Sequence, residues 1–232
     1  MVTSNALQRT FLMRYLTSTA TCFTIDIEEK QYLVTARHAL PNVEESVTVQ
    51  IQHEGGWKSL NCKVVGIATG EVDVIVLAPP HPISPSHALQ PTTKDLYLSQ
   101  DVYFLGFPYG LNSEVGELNA DFPLPLVKKA CVSMLELFPD KTKFLLLDGH
   151  NNPGFSGGPV VFSPHGNHNT VCVAAVISGY RFEWDKVYID EKETSLAVKY
   201  NTGIVVAYAI DYAVELIQAN PIGAPVKVEK AN

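Results

Sequence analysis

Residues 150–160 read His-Asn-Asn-Pro-Gly-Phe-Ser-Gly-Gly-Pro-Val, a composition that suits nucleophilic catalysis. Ser156 lies among glycines, which tolerate positive φ angles and let other backbone approach closely. A loop of this kind can turn sharply, expose the Ser156 hydroxyl and direct successive backbone N–H groups towards one point. A hydroxyl beside two converging N–H groups is what a nucleophile and its oxyanion hole require. The alternative is a glycine-rich hairpin turn whose serine is incidental.

A serine hydroxyl is a poor nucleophile near neutral pH unless a base lies within hydrogen-bonding reach. His38 is the best candidate for this base, because it closely follows the apolar run 32–36 and would be held at the end of a strand. No other histidine ends a run that reads as a buried strand. The alternative is a histidine without a catalytic role.

Asp73 is the candidate for a third group, a carboxylate that orients an imidazole and stabilises its cation. It interrupts the β-branched run 72–77 (Val-Asp-Val-Ile-Val-Leu), where burial of a carboxylate is costly unless it has a partner. Strand alternation places its side chain on the face shared by Ile75 and Leu77. The alternative is an edge-strand aspartate that points to solvent.

Short β-like runs separated by turn signals dominate the chain, and a helical pattern occurs only near the end. The predicted strands are 19–27, 31–35, 46–52, 60–68, 72–77 and 102–106 in the first half, and 128–137, 144–147, 159–163, 171–178 and 203–209 in the second. Residues 210–219 have the apolar spacing of one short helix. This pattern predicts an all-β fold of two antiparallel β-barrels, about six-stranded each, with a short C-terminal α-helix.

The loop-rich stretch 109–125 is the expected junction between the two halves. We therefore expect a single domain over residues 1–232. Its expected parts are an N-terminal barrel at about 15–115 with His38 and Asp73, a C-terminal barrel at about 124–209 with Ser156, a helix at 210–219 and a loose tail at 220–232.

Net charge and cysteine placement argue against several classes of protein. The formal net charge is −7 and the pI is about 5.5, which argues against nucleic acid or an anionic membrane as the main partner. No apolar run approaches the roughly 20 residues of a membrane span, and the N-terminus lacks the pattern of a signal peptide. The cysteines are scattered without CxxC spacing, which predicts buried thiols in a reducing, cytoplasmic compartment and neither a metal site nor a cofactor.

The three candidates occur in the order histidine, aspartate, serine, with separations of 35 and 83 positions. Residues 35–38 (Thr-Ala-Arg-His), 72–77 and 154–159 (Gly-Phe-Ser-Gly-Gly-Pro) resemble the three signature motifs of the trypsin/chymotrypsin-like serine peptidases. The resemblance covers about residues 15–219. Particular similarity to the bacterial HtrA-like branch is found at 105–110, 152–159 and 203–207.

The resemblance implies a trypsin-like double barrel with the active site in the cleft between its halves, and it assigns roles by residue. Ser156 would be the nucleophile, His38 the general base and then acid, and Asp73 the orienting carboxylate. The N–H groups of Gly154 and Ser156 would form the oxyanion hole. The implied activity is hydrolysis of peptide bonds in protein or peptide substrates through an acyl-enzyme intermediate.

Four residues are implicated in substrate binding. The resemblance implies that Ser178, Gly179 and Tyr180 pair with the substrate backbone by strand addition, and the alternative is a plain strand end. His150 occupies the position that is aspartate in members specific for Arg or Lys, so the sequence does not support that preference. A modest apolar residue at the cleavage site is expected instead.

Departures from the family pattern also carry predictions. Members activated by cleavage have an aspartate just before the nucleophile, whereas this chain has Phe155, so no zymogen salt bridge is expected. Arg37 and Ala39 replace a small residue and a disulfide cysteine beside the histidine, and neither change removes chemistry. HtrA-like relatives often carry a C-terminal PDZ module, and too few residues follow Ala219 for one.

Residues 181–199 are expected to form a charged hairpin beside the specificity pocket. Its charged residues are Arg181, Glu183, Asp185, Lys186, Asp190, Glu191, Lys192, Glu193 and Lys199. A solvated loop is one interpretation, and selection of basic stretches in a protein substrate is the other.

Two alternatives to an active peptidase stay open. One is a binding module that retains the peptidase fold and grips a peptide or partner without turnover. The other is a latent peptidase whose cleft becomes ordered only when an activating protein partner binds. Both alternatives keep the fold of an active peptidase. The sequence favours the active peptidase over them only through the presence of all three candidate triad side chains.

Overall fold

The computed structural model describes residues 2–84, 87, 89–138, 140–164 and 170–226, and β-strands dominate it. The earlier strands are β1 (Thr10–Tyr15), β2 (Ser18–Ile27), β3 (Lys30–Thr35), β4 (Ser46–His53), β5 (Gly56–Ile67), β6 (Ile75–Ala78) and β7 (Gln90–Pro91). The later strands are β8 (Asp101–Gly106), β9 (Leu126–Glu136), β10 (Phe144–Asp148), β11 (Pro159–Phe162), β12 (Cys172–Ile189), β13 (Lys192–Ala209) and β14 (Ala224–Pro225). The helices are α1 (Ser4–Gln8) and α2 (Asp211–Ala219), with 3-10 turns at Arg37–Ala39, Pro108–Gly110 and Gly116–Asn119.

The strands form two closed six-stranded barrels, which confirms the predicted all-β, trypsin-like double barrel. In the first barrel the order β3-β2-β1-β4-β5-β6 closes by pairing of β3 with β6, and β14 is added beside β3. In the second the order β11-β8-β9-β10-β13-β12 closes by pairing of β11 with β12, and β7 is added beside β12. The predicted short C-terminal helix is α2. No helix in the described ranges is long and apolar enough to cross a bilayer.

Apolar side chains fill each barrel and the space between the barrels. Inward-facing residues such as Phe11 and Leu77 form the core of the first barrel, and Phe104 and Val205 belong to that of the second. A third buried cluster, the interbarrel seam, takes residues from both barrels and from α2. It includes Phe23, Val34, Val76, Val161, Val176, Ala213 and Ile217. Because burial of apolar surface is the main favourable term in folding, this seam fixes the barrels relative to each other.

Two details of the predicted strand order are wrong. Residues 102–106 were expected in the N-terminal barrel, but β8 pairs with β9 and β11 in the second barrel. The first barrel is completed by β1, which lies mostly outside the expected 15–115 range. The first four residues of β1 are all buried, so the strand lacks the alternation by which a half-buried strand is recognised.

The expected loose tail at 220–232 is also wrong in part. Its residues Ala224 and Pro225 form β14, which pairs antiparallel with Gln31 and Lys30 of β3. The Val226 N–H donates to the Glu29 carbonyl oxygen over 2.8 Å. The remaining positions, 227–232, lie outside the described residues.

β12 and β13 are unusually long, at 18 residues each. They join the predicted strands 171–178 and 203–209 to the predicted hairpin in one continuous antiparallel pair. The outer part, residues 181–200, is called the β12–β13 ribbon here. Its side chains are exposed except at two half-buried positions, Val187 and Thr194.

Candidate active site

The register of two neighbouring strands brings His38 and Asp73 together. β3 and β6 are antiparallel with Thr35 opposite Ile75, so residues just after Thr35 face residues just before Ile75. His38 lies in the 3-10 turn Arg37–Ala39, and Asp73 lies in the segment before β6. The His38 N–H donates to Asp73 Oδ1 over 2.8 Å, and His38 Nδ1 lies 2.5 Å from Asp73 Oδ2.

The placement of Asp73 within a strand, on one face with Ile75 and Leu77, is wrong because β6 begins at Ile75. Outside the strand, the carboxylate is free to meet both donors of His38. Asp73 is only 8% exposed, which agrees with the expected shielding from water. Burial disfavours the charged form, but hydrogen bonds from His38 and Ser178 outweigh it, so the pKa of Asp73 lies below its ordinary value.

Ser156 follows a tight turn formed by Pro153 and Gly154. The Phe155 N–H donates to the Asn152 carbonyl oxygen over 3.3 Å, and Gly154 has a φ of +106°. Proline at the second position and a positive φ at the third are typical of a type II turn. A Cβ at Gly154 would lie 2.4 Å from a carbonyl oxygen of the neighbouring loop, so the position requires glycine.

Gly157 brings the loop of Ser156 against the first barrel. A Cβ at Gly157, whose φ is +84°, would lie 2.1 Å from Thr35 Oγ1. The Thr21 N–H donates to the Ser156 carbonyl oxygen over 2.9 Å. Since Thr35 ends the strand that leads to His38, this close contact places the loop of Ser156 beside the segment that carries the imidazole.

Ser178 connects the two sides of the site. Its hydroxyl donates to Asp73 Oδ2 over 2.6 Å, and its carbonyl oxygen accepts a 3.1 Å hydrogen bond from Ser156 Oγ. The structure therefore brings His38, Asp73, Ser178 and Ser156 into one hydrogen-bonded cluster. Across the described ranges, the Ser156 hydroxyl makes this bond and none to His38. The sequence indicated Ser178 only as a substrate-pairing residue, and its contact with Asp73 carries no motif of its own.

The N–H groups of Gly154 and Ser156 have no hydrogen-bond acceptor among the described residues. The Pro153 carbonyl oxygen accepts from a neighbouring loop over 2.9 Å, so the Gly154 N–H in the same planar peptide points the opposite way. The Phe155 carbonyl oxygen accepts from the Gly158 N–H over 2.8 Å, which turns the Ser156 N–H away from that contact. Neither N–H donates to any other residue that the structure describes.

Lys128, on β9, holds the segment just before the loop of Ser156. The sequence analysis did not identify this lysine as a site residue. Its Nζ donates to the His150 carbonyl oxygen and to Asn152 Oδ1, each over 2.6 Å. Desolvation of the ammonium group lowers the pKa of Lys128. On the other side, Asn201 Nδ2 donates to the Asn151 carbonyl oxygen over 2.7 Å. An isolated lysine in a strand has no sequence signal, so only the fold reveals this support.

The remaining residues expected to bind substrate lie close to this cluster. Gly179 and Tyr180 follow Ser178 on β12 and are half-buried. His150 is exposed, and its backbone rather than its ring makes the contact with Lys128. The roles of these positions in binding stay predictions.

The four cysteines are free thiols; Cys22, Cys62 and Cys172 are buried, as predicted, whereas Cys131 is only half-buried. Burial raises the pKa of Cys22 and raises that of Cys62 to about 12, so these thiols stay protonated and unreactive. No group of three or more His, Cys, Asp or Glu side chains in the described part of the chain could hold a metal ion.

The fold resembles those of solved proteases. The inactive form of the Rv3671c protease from M. tuberculosis is 17% identical with a TM-score of 0.58, and the alignment covers 93% of this chain and 90% of that one. The HtrA-type protease AlgW, solved with a tripeptide, is 19% identical with a TM-score of 0.57, over 93% of this chain and 61% of that one. At these identities the likeness shows the fold alone. No curated protein matches the chain.

The sequence profile described as the trypsin-like peptidase domain matches residues 20–167. This span is more than half of the 232 residues, and it includes His38, Asp73 and Ser156. The family match and the double barrel confirm the resemblance that the three motifs indicated. The chain belongs to the trypsin-like peptidases, a family of serine proteases.

Proposed function

We propose that this chain is a serine endopeptidase that hydrolyses peptide bonds in protein substrates through an acyl-enzyme intermediate. Ser156 is the nucleophile, His38 the general base and then acid, and Asp73 the orienting carboxylate. The observation that carries the proposal is the cluster in which Asp73 binds His38 and Ser178, and Ser178 in turn binds the Ser156 hydroxyl.

Asp73 sets the tautomer of His38. An ionised carboxylate only accepts hydrogen bonds, so the 2.5 Å contact requires a proton on His38 Nδ1 and leaves Nε2 as the acceptor. The His38 side chain is 53% exposed, which leaves the imidazole accessible from the cleft. The pair thus presents a neutral, correctly oriented base to an incoming hydroxyl.

Catalysis requires the Ser156 hydroxyl to leave the Ser178 carbonyl oxygen. Rotation about the Cα–Cβ bond of Ser156 redirects the hydroxyl to Nε2 of His38, which takes the proton as Oγ bonds to the substrate carbonyl carbon. The imidazolium, stabilised by Asp73, then protonates the leaving amine as the C–N bond breaks. A water molecule repeats both proton transfers on the acyl-enzyme and releases Ser156.

The oxyanion of each tetrahedral intermediate is bound by the N–H groups of Gly154 and Ser156. Neither N–H donates to another described residue, and the carbonyl oxygen of each of the two peptide groups accepts a hydrogen bond, from the Tyr109 N–H in one case and from the Gly158 N–H in the other. Such donors are fixed before reaction and need no reorganisation as negative charge develops. The substrate backbone pairs with Ser178, Gly179 and Tyr180 by strand addition.

The pocket for the residue before the cleaved bond takes a modest apolar side chain. His150 places no carboxylate at the position that selects Arg or Lys in the family. Membership of the trypsin-like peptidases implies protein or peptide substrates. The proposed choice of a modest apolar substrate residue rests on the family resemblance alone.

A fluorophosphonate probe tests the proposal directly, because it bonds covalently only to an activated serine. We expect one labelled site, Ser156, identified by peptide mass spectrometry. The His38→Ala variant should lose labelling while retaining its melting temperature, since the hydroxyl remains and only its base is gone. A wild-type protein that binds peptides but stays unlabelled would instead be a binding module.

The pH dependence of turnover should report His38. The hydrogen bond to Asp73 raises the pKa of His38, burial opposes it, and the charge of Asp73 adds to the rise. Protonated His38 cannot act as a base, so kcat/KM should fall as pH drops through a midpoint above the ordinary histidine value of about 6.5. An NMR titration of the imidazole in Asp73→Asn should show a lower pKa than in wild type. A wild-type midpoint at or below that ordinary value contradicts the assignment.

One observation favours a second candidate, a latent peptidase. The Ser156 hydroxyl is bound to the Ser178 carbonyl oxygen, which withholds its proton from His38. Binding of a partner or substrate would then be required to redirect it. Fluorophosphonate labelling that is slow for the purified protein and rapid after addition of cell extract supports latency, whereas equal rates support the constitutive enzyme.

A further inference from the structure

The β12–β13 ribbon exposes more apolar surface than a solvated loop requires. Its two strands pair only with each other among the described residues, and an isolated two-stranded ribbon is marginally stable in water. Its exposed large apolar side chains are Phe182, Trp184, Tyr188, Ile189, Leu196, Val198 and Tyr200. Trp184 is 60% exposed and Leu196 is 62% exposed. Exposed apolar patches of this extent mark binding surfaces.

One edge of β12 contacts Ser156 and continues from there into the ribbon. On the side away from β13, β12 first pairs with β11, and then Ile177 exchanges hydrogen bonds of 2.7 and 2.9 Å with Gly157 and Gly158. The next contact on this edge is the 3.1 Å bond from Ser156 Oγ to the Ser178 carbonyl oxygen. From Gly179 to Ile189, in the part of β12 that the structure describes, no strand covers this edge.

Backbone groups of every second residue point to the free edge. The Arg181 and Val187 carbonyl oxygens accept from the Thr202 and Thr194 hydroxyls of β13, over 3.0 and 2.8 Å, so odd-numbered residues face β13. N–H and C=O groups of one residue point to the same side of an antiparallel strand, and those of its neighbours point to the other. A register shift lies between Ile177 and Gly179, so Ile177 and Ser178 both face this edge. From Ser178 onwards the even-numbered residues, such as Trp184, face outward.

We infer that this edge binds the segment of the substrate that precedes the cleaved bond, as an added antiparallel strand. The inference rests on the proposed peptidase function. A strand that starts at Ser178 and runs antiparallel to β12 proceeds towards the substrate's N-terminus as it passes Tyr180, Phe182 and Trp184. At about 3.3 Å per residue, residues 181–189 extend the binding edge by roughly 30 Å. The substrate class is an unfolded or extended polypeptide, not a short peptide.

The side chains along this edge of β12 indicate which types of residue the bound substrate strand contains. Phe182 and Trp184 lie on one face of the ribbon, and Glu183 and Asp185 lie on the other. Neither acidic residue forms an ion pair within the described ranges, and Arg181, two positions before Glu183, pairs with neither. Cross-strand pairs favour apolar side chains beside the aromatic residues and opposite charges beside the acidic ones. The preferred segment alternates apolar and basic residues.

Two fluorogenic peptides with the same residues around the cleaved bond test the inference. One has three residues before the bond and the other has nine, with apolar and basic residues alternating. We expect the long peptide to have a kcat/KM about tenfold higher or more, mainly through a lower KM. Replacing residues 183–200 by Asn-Gly, a two-residue hairpin turn between the opposed Phe182 and Asn201, should abolish this gain and leave cleavage of the short peptide unchanged.

Backbone N-methylation of the long peptide shows whether the gain comes from strand pairing. If the first residue before the bond lies opposite Ser178, the fifth and seventh lie opposite Phe182 and Trp184 and direct their N–H groups at β12. N-methylation at the fifth or seventh residue should remove most of the gain, and at the fourth or sixth it should not. Equal losses at all four positions overturn the inference.

The remaining outcomes separate this inference from the proposed function. If the short peptide is cleaved and the long one has no advantage, the edge does not bind substrate and the peptidase assignment stands. If sedimentation then shows that the wild type is a dimer and the variant with the shortened ribbon is a monomer, the ribbon is an interface between two copies of this chain. That result overturns the inference. If neither peptide is cleaved and Ser156 is unlabelled, the proposed function itself fails.

Discussion

Replacing Ser156 with alanine should lower kcat for peptide hydrolysis by about 10⁶-fold, the scale of loss when a serine triad loses its nucleophile. The Ser156 hydroxyl makes a single described hydrogen bond, to the Ser178 carbonyl oxygen, so its removal costs little structure. The residual activity, about 10³–10⁴-fold above the reaction in water, comes from the oxyanion donors and from substrate binding. The measurement is kcat with enzyme concentration fixed by titration of the active site in wild type.

A serine remote from the site is the matched control. Ser59 is exposed on β5, and Ser59→Ala should leave both kcat and the melting temperature unchanged. The Ser156→Ala protein should also melt at the wild-type temperature. Cleavage by Ser156→Ala at the wild-type rate would show that another group is the nucleophile and would remove the triad from the mechanism.

Replacing Asp73 with asparagine should lower kcat by about 10⁴-fold, the second largest effect expected. Three donors meet its two oxygens: the His38 N–H, the His38 Nδ1–H and the Ser178 hydroxyl. Asparagine offers one oxygen and one NH₂ group, so at least one of these donors meets another donor. If the amide turns its NH₂ group to His38 Nδ1, the proton moves to Nε2, which then cannot accept the proton of Ser156.

Ser178→Ala is the control for this prediction. It removes one hydrogen bond to the Asp73 carboxylate but keeps the charge and the tautomer of His38, so the loss in kcat should stay within about 100-fold. Circular dichroism should report the same fold for both variants. An Asp73→Asn enzyme whose kcat lies within tenfold of wild type would show that the carboxylate does not orient the base.

The three residues proposed for catalysis were predictable as a group because each belongs to a short motif with its own physical reason. Gly154 and Gly157 both have positive φ angles and leave no room for a Cβ, so their spacing around Ser156 reflects steric necessity. Asp73 stood out as a carboxylate in an apolar run. Its strand assignment failed because β-branched composition indicates burial but does not say where a strand begins.

Residues that act through long-range contacts were not predictable from the sequence. Lys128 lies more than 20 positions before the backbone and amide oxygens that it binds, and no periodicity connects them. The contact of Ser178 with Asp73 joins residues 105 positions apart. In the fold, β8 could be identified as a strand but not assigned to a barrel, because alternation within a strand carries no information about its neighbours.

The interbarrel seam fixes how the barrel that carries His38 is docked against the barrel that carries Ser156. The His38–Asp73 pair belongs to one lobe and the Ser156 hydroxyl to the other, with Gly157 packed against Thr35 where they meet. A shift of one lobe against the other would separate Ser156 from His38 while both lobes stayed folded. We therefore expect substitutions along the junction to affect the proposed chemistry without touching His38, Asp73 or Ser156.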